Sequence, residues 1–589
     1  MRELASFTSY LIEREIQRRK RPKKTLIKPL KEIPEEEAQC VSCGAELADS
    51  ELFRHYRVCE FCGFHHTISA RERIYLLVDP ASFQEFDRTV PVSEPVQFLG
   101  DISYQERIRE AQRRTGLPEA VVTGTCTIGG NPAVLAVLDF GFLGGNMGMT
   151  VGEKIARGFE LAAKRKLPII TVVSSGGARI EEGVLSLMQM AKTAAAAKRF
   201  QNYNLPHICI LTNPTTGEVY ASFANLADII IAEPKALIGF APLRTVEQAT
   251  EVRSPESSHT AESHLEHGLI DQIVDRTRLR HLLSIILDLL SSRYQLGTRE
   301  RVRPYFAPTH PQEQAWQTVQ LARHQARPTT LDYITRIASV FVELHGDRSY
   351  GDDPAIVCGL AEIGGEAVMI IGQQRDRNQG RAGPEGFRKA QRAMKLAAKF
   401  KLPLITFIDT PGAYSGPGAE ERGIGNAIAS TLALMSDLPT PILSVIIGEG
   451  GSEGALALGI ADRTLMLENA FLSVVSPERA ASIFYRDIKK AEELASALRL
   501  TPADCKRLGI VDAIVPEPEG GAHTDHAEAA RLLKNLLLQH LLQIHDRPPE
   551  KLAKSRYHKF RHVGGPTSLV KRVASGKLAQ LQSLLQPGG

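Results

Sequence analysis

An eleven-residue stretch occurs twice in this chain of 589 residues. Residues 161–171 read LAAKRKLPIIT and residues 396–406 read LAAKFKLPLIT, so nine of the eleven positions are identical at an offset of 235 residues. Each copy contains a helix-like run, then a Lys-x-Leu-Pro link, then an apolar run. This order predicts a helix followed by a strand. Strand-like and helix-like runs alternate around each copy, which is typical of an α/β fold. The chain is therefore predicted to contain two related α/β domains.

Glycine-rich turns follow the predicted strands of both domains. Residues 174–179 read SSGGAR after the first copy of the repeat, and residues 409–414 read DTPGAY after the second. Other turns correspond between the domains as well: residues 141–148 with 371–386, and residues 213–218 with 448–455. Where a strand passes through a glycine turn into a helix, backbone N–H groups point outward at the positive end of the helix dipole. Each such junction is predicted to hold a phosphate, a carboxylate or an oxyanion.

A metal site is predicted ahead of the first domain, from the spacing C-x2-C-x15-C-x2-C. Gly44 and Gly63 follow the second cysteine of each pair, where a tight knuckle needs a positive φ. The predicted ligands are four thiolates, those of Cys40, Cys43, Cys59 and Cys62. Zinc is favoured over iron because nothing in the sequence suggests redox chemistry. Four thiolates leave no open coordination position, so one Zn²⁺ ion here is expected to be structural.

The other cysteines and the charge distribution limit the possible environment of the protein. The four remaining cysteines are scattered, so no disulfide framework is expected and a reducing cytoplasm fits best. We expect neither a secretory signal nor a membrane span. The formal charge of +4 is concentrated in residues 1–30, which hold nine Arg or Lys against three Glu. This basic arm leaves nucleic-acid binding open, although a solvated or partner-docking arm is the simpler interpretation.

The length of the chain predicts two or three domains. Changes in composition along the chain predict these segments: a basic N-terminal arm (1–36), a zinc ribbon (37–66), a first large domain (67–290), a linker (291–329), a second large domain (330–563) and a tail (564–589).

No side-chain nucleophile accompanies the glycine turns. Ser174 and Ser175 precede two glycines, but they do not lie in a G-x-S-x-G pattern, and the chain has no P-loop, HExxH or Rossmann fingerprint. Backbone N–H groups without a nucleophile favour oxyanion stabilisation, and the enolate of a thioester is such an oxyanion. The alternative is that the glycines only let helices pack closely against strands.

The sequence resembles the bacterial acetyl-CoA carboxylase carboxyltransferase, with β and α subunits fused in one chain. The β-like similarity includes the ribbon and residues 139–140, 144–148, 151–154, 174–179, 186–193 and 233–240. The α-like similarity includes residues 345–348, 351–357, 384–386, 407–414, 419–423 and 476–478. This resemblance implies two crotonase-like domains in tandem behind a small four-cysteine zinc ribbon. It also implies that the first, β-like domain takes the acyl-CoA and the second, α-like domain takes biotin.

The resemblance implies an activity and its partners. The carboxyl group would pass from carboxybiotin on the biotin carboxyl carrier protein to acetyl-CoA, which gives malonyl-CoA for fatty acid synthesis. Carboxybiotin would release CO2, the ureido nitrogen would take the methyl proton, and the enolate would attack. Biotin carboxylase would be a further partner in an ATP-binding complex. The chain would act as a homodimer, which is equivalent to an α2β2 tetramer.

The resemblance also implies roles for individual residues. N–H groups near Gly176, Gly177 and Ala178 would hold one oxyanion, and those near Gly454 and Ala455 would hold the other. One of the two oxyanions is the thioester enolate and the other is the ureido oxygen of biotin. The substrate-binding residues would be Gly144, Gly145, Arg179, Gly217 and Gly412.

Several positions depart from the family pattern. Glu218 and Glu453 stand where the family has glycine, and the two positions are equivalent across the duplication. A glutamate keeps its N–H but adds a charge that repels an anion. Pro242 stands where the family has another glycine, and it has no N–H to donate. Residues 254–258 replace a loop rich in Pro and Gly.

Two other functions are compatible with the sequence. The first is a carboxyltransferase for another acyl-CoA, or a crotonase-type acyl-CoA hydratase or decarboxylase that uses a glutamate such as Glu218 or Glu453. The second is a non-catalytic nucleic-acid binder that uses the ribbon and the basic arm.

Overall fold

The computed structural model describes residues 39–88, 104–240, 258–291 and 315–563. These residues form two compact units. The N-terminal unit comprises the described residues up to 291 together with the short segment 344–352, and the C-terminal unit comprises residues 315–343 and 353–563. The predicted basic arm, the tail and most of the predicted linker lie outside the described residues.

The N-terminal unit is built on one eight-stranded mixed sheet. Its strands are β1 (Gln84–Glu85), β2 (Val121–Ile128), β3 (Asn131–Leu138), β4 (Ile169–Ser175), β5 (His207–Thr216), β6 (Ile229–Ala232), β7 (Ile238–Gly239) and β8 (Gln272–Ile273). Its helices are α1 (Glu51–Tyr56), α2 (Ala70–Leu77), α3 (Tyr104–Thr115), α4 (Met149–Arg165), α5 (Val184–Gln201), α6 (Gly217–Tyr220), α7 (Ala261–Glu266) and α8 (Arg276–Leu289). The sheet order is β1-β2-β3-β4-β5-β6-β8, and β7 pairs with the end of β5.

The C-terminal unit contains a second eight-stranded sheet. Its strands are β9 (Val340–Glu343), β10 (Ile356–Ile363), β11 (Glu366–Gln373), β12 (Leu404–Thr410), β13 (Ile442–Gly451), β14 (Arg463–Leu467), β15 (Phe471–Ser473) and β16 (Ala513–Val515). Its helices are α9 (Ala315–Ala322), α10 (Thr330–Ile337), α11 (Pro384–Phe400), α12 (Ile424–Asp437), α13 (Ser452–Leu456), α14 (Pro477–Tyr485), α15 (Ala491–Ala497), α16 (Pro502–Leu508), α17 (His526–Ile544) and α18 (Pro549–Arg561). The order β9-β10-β11-β12-β13-β14-β16, with β15 on β13, repeats the first sheet.

The two sheets confirm the predicted duplication strand by strand. In each, an antiparallel hairpin (β2–β3 or β10–β11) leads into parallel strands. The strands of the repeat, β4 and β12, are buried along their whole length, as expected for parallel strands covered on both faces. The parallel register shifts between Val173 and Ser175 in one sheet and between Ile408 and Thr410 in the other. These positions correspond, so both glycine turns begin from the same local geometry.

The Lys-x-Leu-Pro link ends a helix in both units. Lys166 and Lys401 adopt left-handed conformations, with φ of 54° and 57°, and their N–H groups return to the last turns of α4 and α11. The prolines at 168 and 403 cannot continue a helix, so the chain enters β4 and β12 directly. The repeated sequence is therefore a device that ends one helix and starts one strand.

The helical segments at two places have particular structural roles. After β5 the chain forms only the four-residue α6, followed by a separate 3-10 turn at Phe223–Leu226. The basic residues between 551 and 561 belong to the last described helix, α18. Arg556 is fully buried and donates to the carboxylate of Asp462 and to the carbonyls of Met435 and Leu438. It thereby satisfies carbonyl groups at the end of α12.

Candidate functional site

The four cysteines of the ribbon meet in one cluster. The Sγ atoms all lie within 4.8 Å of one another, in the set Cys40, Cys43, Cys59 and Cys62. Gly44 and Gly63 have φ of 72° and 71°, as the predicted knuckles require. Their N–H groups close each knuckle on the first cysteine carbonyl of its pair, at 2.8 and 2.9 Å. This set of four thiol groups can hold one metal ion, which confirms the predicted convergence.

The ribbon is anchored to the rest of the N-terminal unit by a buried arginine. Arg276 donates two hydrogen bonds of 2.8 Å to Glu233 and further bonds to the carbonyls of Tyr56 (2.7 Å) and His66 (2.8 Å). Arg73 pairs with the same carboxylate. Burial raises the pKa of Glu233, but the positive charges of Arg276 and Arg73 lower it by more, so the pKa lies below its usual value. The ribbon therefore packs against the α/β domain of the same unit through buried, charged side chains.

A second contact leads from the ribbon towards a glycine turn. The Lys235 Nζ atom donates to the carbonyl of Cys62 at 2.5 Å. Lys235 precedes β7, which pairs with Thr215 and Thr216 at the end of β5. The next residue, Gly217, begins α6. A cysteine knuckle and the strand–turn–helix junction are thus linked through one short segment of chain.

The turn after β4 uses two of its three predicted N–H groups internally. The N–H of Gly176 donates to the carbonyl of Gly144 at 2.8 Å, and that of Gly177 donates to the Ser175 hydroxyl at 3.2 Å. In this structure both groups therefore donate within the protein, and their contact with an oxyanion stays a prediction. The N–H of Ala178 has no acceptor among the residues that the structure describes, so it alone of the three remains available.

The other predicted glycines of this unit hold the junction together. A Cβ atom on Gly145 would lie 2.0 Å from the Ser174 carbonyl oxygen, and one on Gly217 would lie 2.7 Å from the Cα of Gly177. Both glycines also have positive φ, 65° and 68°. Gly144 supplies the carbonyl that accepts from the turn. Close backbone packing therefore explains these glycines, and their contact with substrate stays a prediction.

Arg179 is buried and paired with carboxylates. Its side chain is 1% exposed, and it donates to the Glu119 carboxylate at 2.6 and 2.9 Å. It also pairs with Glu182, which in turn accepts from the Tyr104 hydroxyl. Burial lowers the pKa of Arg179, but Glu119 raises it by more, so the guanidinium stays charged. The pairing with Glu119 and Glu182 fixes the turn, and contact of Arg179 with substrate stays a prediction.

The C-terminal unit repeats the junction with different side chains. The Gly412 N–H donates to the Thr410 hydroxyl at 3.1 Å, as Gly177 does to Ser175. A Cβ atom on Gly454 would lie 2.5 Å from the N atom of Ala413, so α13 starts directly against the turn. Ala455 is buried in the same helix. The structure therefore brings the predicted residues Gly412, Gly454 and Ala455 to one place.

An arginine-rich cavity of about 550 Å³ opens beside this second junction. Its lining includes the turn at 411–413, Ser452, Glu453 and four arginines, Arg323, Arg375, Arg381 and Arg479. Arg323 forms a two-pronged pair with Glu449, at 2.7 and 2.9 Å, so that arginine is partly neutralised. The Arg-rich sequence of 371–386 is a signal for two of these residues, whereas no motif in the sequence marks Arg323 or Arg479.

Comparison with known proteins identifies the family. The chain is 44% identical over 543 residues to the acetyl-coenzyme A carboxylase carboxyl transferase subunits beta/alpha of Salinispora tropica, covering 90% of this chain and 96% of that protein. The protein of the same description from Clostridium tetani is 42% identical, over 92% of this chain and 95% of its own length. This chain belongs to the fused beta/alpha acetyl-CoA carboxylase carboxyltransferase family. Members of that family are enzymes that transfer carboxyl groups, as the resemblance implied.

Partial matches and solved structures agree with this assignment. Residues 299–564 match the family described as acetyl co-enzyme A carboxylase carboxyltransferase-like. The alpha subunit from Thermus thermophilus is 52% identical over 257 residues, which are 42% of this chain and 81% of that subunit. Among solved structures, transcarboxylase 12S superposes with a TM-score of 0.63 at 24% identity, over 80% of this chain and 89% of that one. That likeness confirms the fold: tandem crotonase-like α/β domains.

Proposed function

We propose that this protein transfers a carboxyl group from carboxybiotin, carried on a biotin carboxyl carrier protein, to acetyl-CoA and so forms malonyl-CoA. The observation that carries the proposal is the duplicated strand–glycine turn–helix junction in a chain that matches both subunits of the family over 90% of its length. The proposed reaction joins an enolate and a carboxylated biotin, which are both anionic, so each of them needs one junction with N–H donors.

The N-terminal unit is proposed to take the acyl-CoA. The free N–H of Ala178 lies next to Gly177, and the first N–H groups of α6 start at Gly217 on the other side. Groups at the start of a helix lack intrahelical acceptors and can hold the oxygen of a thioester enolate. Removing one such donor from an oxyanion site typically costs about 100- to 1,000-fold in kcat.

The C-terminal unit is proposed to take carboxybiotin. The cavity beside Gly412 and Gly454 is rich in arginines, and guanidinium groups suit the planar carboxylate of carboxybiotin. The ureido oxygen would accept from N–H groups at the start of α13. The released CO2 would then be attacked by the enolate, with C–C bond formation at the acyl α-carbon.

The ribbon is proposed to hold one structural Zn²⁺. Four cysteine thiolates form a closed tetrahedral set, which fits zinc and leaves no position for a substrate. Zinc bound there would stabilise the knuckles and, through Arg276 and Lys235, the ribbon's dock on the N-terminal unit. The carboxyl transfer itself is performed by the backbone and side chains of the two units.

The proposed assembly is a homodimer that works with biotin carboxylase and the carrier protein in the cytoplasm. Two apolar surfaces support a partner copy: Ile180, Val184, Leu187 and Met188 are exposed in the N-terminal unit, and Val474, Ile483, Phe484 and Ile488 are exposed in the C-terminal unit. All eight cysteines are free, as a reducing compartment allows. No helix in the described part of the chain has the length and apolar character needed to cross a bilayer.

The test of this function is carboxyl transfer from malonyl-CoA to free biotin by the purified full-length protein. We expect biotin-dependent loss of malonyl-CoA with formation of an equal amount of acetyl-CoA. Hydration of an unsaturated acyl-CoA without any transfer would instead favour a crotonase-type hydratase. A panel of acyl-CoA esters with the carboxylated carrier protein would then rank the substrates.

A further inference from the structure

The two units share a left-handed turn but build it from different residues. Residues 143–145 of the N-terminal unit have φ of 48°, 71° and 65°. Residues 378–380 of the C-terminal unit, 235 positions further on, have φ of 46°, 56° and 72°. The middle residue is Gly144 in the first turn and Gln379 in the second. A side chain is unfavourable in the left-handed region, so Gln379 occupies a position where the equivalent turn avoids that cost with glycine.

The backbone contact that anchors Gly144 has no counterpart at Gln379. The Gly144 carbonyl accepts the N–H of Gly176 at 2.8 Å. The residue equivalent to Gly176 is Pro411, which has no N–H to donate. Packing does not require the glutamine side chain either, because Gln379 is exposed. A strained residue that neither the backbone nor the packing requires points to a use of its side chain.

Gln379 lies where two cavities of the C-terminal unit meet. The first is the arginine-rich cavity of about 550 Å³ beside the turn at 411–413. The second has a volume of about 570 Å³ and is lined by residues of the segments 375–381 and 414–416. Four residues line both cavities: Arg375, Gln379, Arg381 and Ser415. The strained glutamine is therefore part of the wall of the cavity proposed for carboxybiotin.

Arg381 fixes the orientation of the Gln379 amide. The Nε atom of Arg381 donates to the Oε1 atom of Gln379 at 3.2 Å. Because a guanidinium group only donates hydrogen bonds, the amide oxygen must lie on the side of Arg381, and the NH2 group lies on the other side. The Nε2 atom has no acceptor among the residues that the structure describes. A neutral N–H donor is thus available at the wall of an arginine-rich cavity.

We propose that Gln379 is a specificity-determining residue for biotin, and that its Nε2 atom donates a hydrogen bond to the ureido oxygen. This inference rests on the proposed function, which assigns carboxybiotin to the C-terminal cavity. When the N–C bond of carboxybiotin breaks and CO2 leaves, the electron pair of that bond stays on the ureido group, and the ureido oxygen takes part of the negative charge. A donor at this oxygen therefore binds most strongly during the transfer. A carbonyl oxygen has two lone pairs, so Gln379 can act together with a backbone N–H donor.

The experiment measures carboxyl transfer from malonyl-CoA to free biotin with full-length Gln379→Gly, which gives the C-terminal turn the residue found in the N-terminal one. We expect kcat/KM for biotin to fall about tenfold, the weight of one hydrogen bond to a charged group, while the KM for malonyl-CoA is unchanged. Gln379→Glu replaces the donor with a carboxylate of similar size and should lose at least as much. The matched control is Arg499→Gly, an exposed residue of the same unit with φ of 52° that lines neither cavity, and it should keep the full kcat/KM.

Urea unfolding, followed by the fluorescence of Trp316 on α9, separates this role from a structural one. Glycine adopts the left-handed conformation without strain, so both glycine variants should keep or raise the urea midpoint of the C-terminal unit. The proposal is overturned if Gln379→Gly lowers this midpoint together with kcat/KM, or if it leaves kcat/KM for biotin unchanged. An equal loss of kcat/KM in Arg499→Gly would also overturn it.

Binding of free biotin, measured by saturation-transfer NMR, distinguishes failure of this inference from failure of the proposed function. If the unaltered protein binds biotin more tightly than Gln379→Gly but transfers no carboxyl group, the proposed function alone is refuted. If transfer proceeds with the same kcat/KM for biotin in both proteins, this inference alone is refuted. Absence of both biotin binding and transfer in the unaltered protein would refute both.

Discussion

In the N-terminal unit Glu218 faces Gly177 without a side-chain partner, whereas in the C-terminal unit Glu453 accepts from Ser452 beside four arginines. The backbones around the two residues correspond down to the Ser175 and Thr410 hydroxyls that hold each turn. The two glycine turns therefore share one backbone geometry but differ in the charged side chains around them. The difference fits the proposed division, in which one junction takes the thioester and the other takes an anionic carboxybiotin.

The largest difference between the units is the four-cysteine cluster, which only the N-terminal unit contains among the described residues. Cys40→Ser should abolish binding of the single zinc ion and unfold the ribbon, because metal affinity of about 10–16 kcal/mol is coupled to folding in such sites. Zinc per chain is measured by atomic absorption, with Cys126→Ser, a buried cysteine of β2, as the control. One full equivalent of zinc in Cys40→Ser would refute the site.

Each unit also contains a buried arginine–glutamate pair: Arg276 with Glu233, and Arg327 with Glu517. Arg276→Ala should cost the N-terminal unit about 3–5 kcal/mol, since it removes a partner from a buried carboxylate. Arg327→Ala should cost the C-terminal unit a similar amount. Trp316, the only tryptophan, reports unfolding of the C-terminal unit in urea, and hydrogen exchange in β4 and β5 reports the other.

These two variants control for each other. The Trp316 midpoint should fall in Arg327→Ala and stay unchanged in Arg276→Ala, while protection of β4 and β5 should show the reverse. A fall of both signals in both variants would mean that the units do not unfold separately.

A smaller effect is expected at the residue that begins each short helix. Gly217 and Ser452 both have positive φ, 68° and 58°, but Gly217 has no side chain, and a Cβ atom added there would lie 2.7 Å from the Cα of Gly177. Gly217→Ser should therefore destabilise the N-terminal unit by at least roughly 1–2 kcal/mol, the cost of a left-handed side chain. Ser452→Gly should change stability by less than about 1 kcal/mol. Equal effects in urea unfolding would show that the two junctions are packed alike.

The smallest expected effect is on the pH dependence of the stability of the N-terminal unit. Asp79 accepts from the N–H groups of Gly129 and Gly130, from Thr127 and from Arg280. Burial raises the pKa of Asp79, but these donors lower it to about 2. Its stabilising contribution is therefore complete above about pH 4, the pKa of an unfolded Asp, and is lost as pH falls towards 2. Asp79→Asn should flatten the acid limb of the N-terminal unfolding curve, and an unaltered limb would contradict this.

The duplicated sheets and the convergence of the four cysteines could be predicted because both are encoded locally. The repeat at 161–171 contains its own helix stop and strand start, and paired CxxC motifs give their own knuckles. The use of each turn was harder to predict. Gly176 donates to Gly144 and Arg179 pairs with Glu119, and these partners lie 32 and 60 residues away. Hydrogen bonds between residues so far apart leave no periodic pattern in the sequence, so the sequence cannot distinguish a free N–H or an available arginine from an occupied one.

The division of labour between the two units is tested most directly with Arg479→Gln in the forward reaction. Arg479 is exposed, lines the C-terminal cavity and has no ion pair among the described residues, so its replacement leaves no buried partner behind. We predict that the KM for the carboxylated carrier protein rises about tenfold, the weight of one charge-assisted hydrogen bond, while the KM for acetyl-CoA is unchanged. A rise in the KM for acetyl-CoA with no change for the carrier would contradict the account.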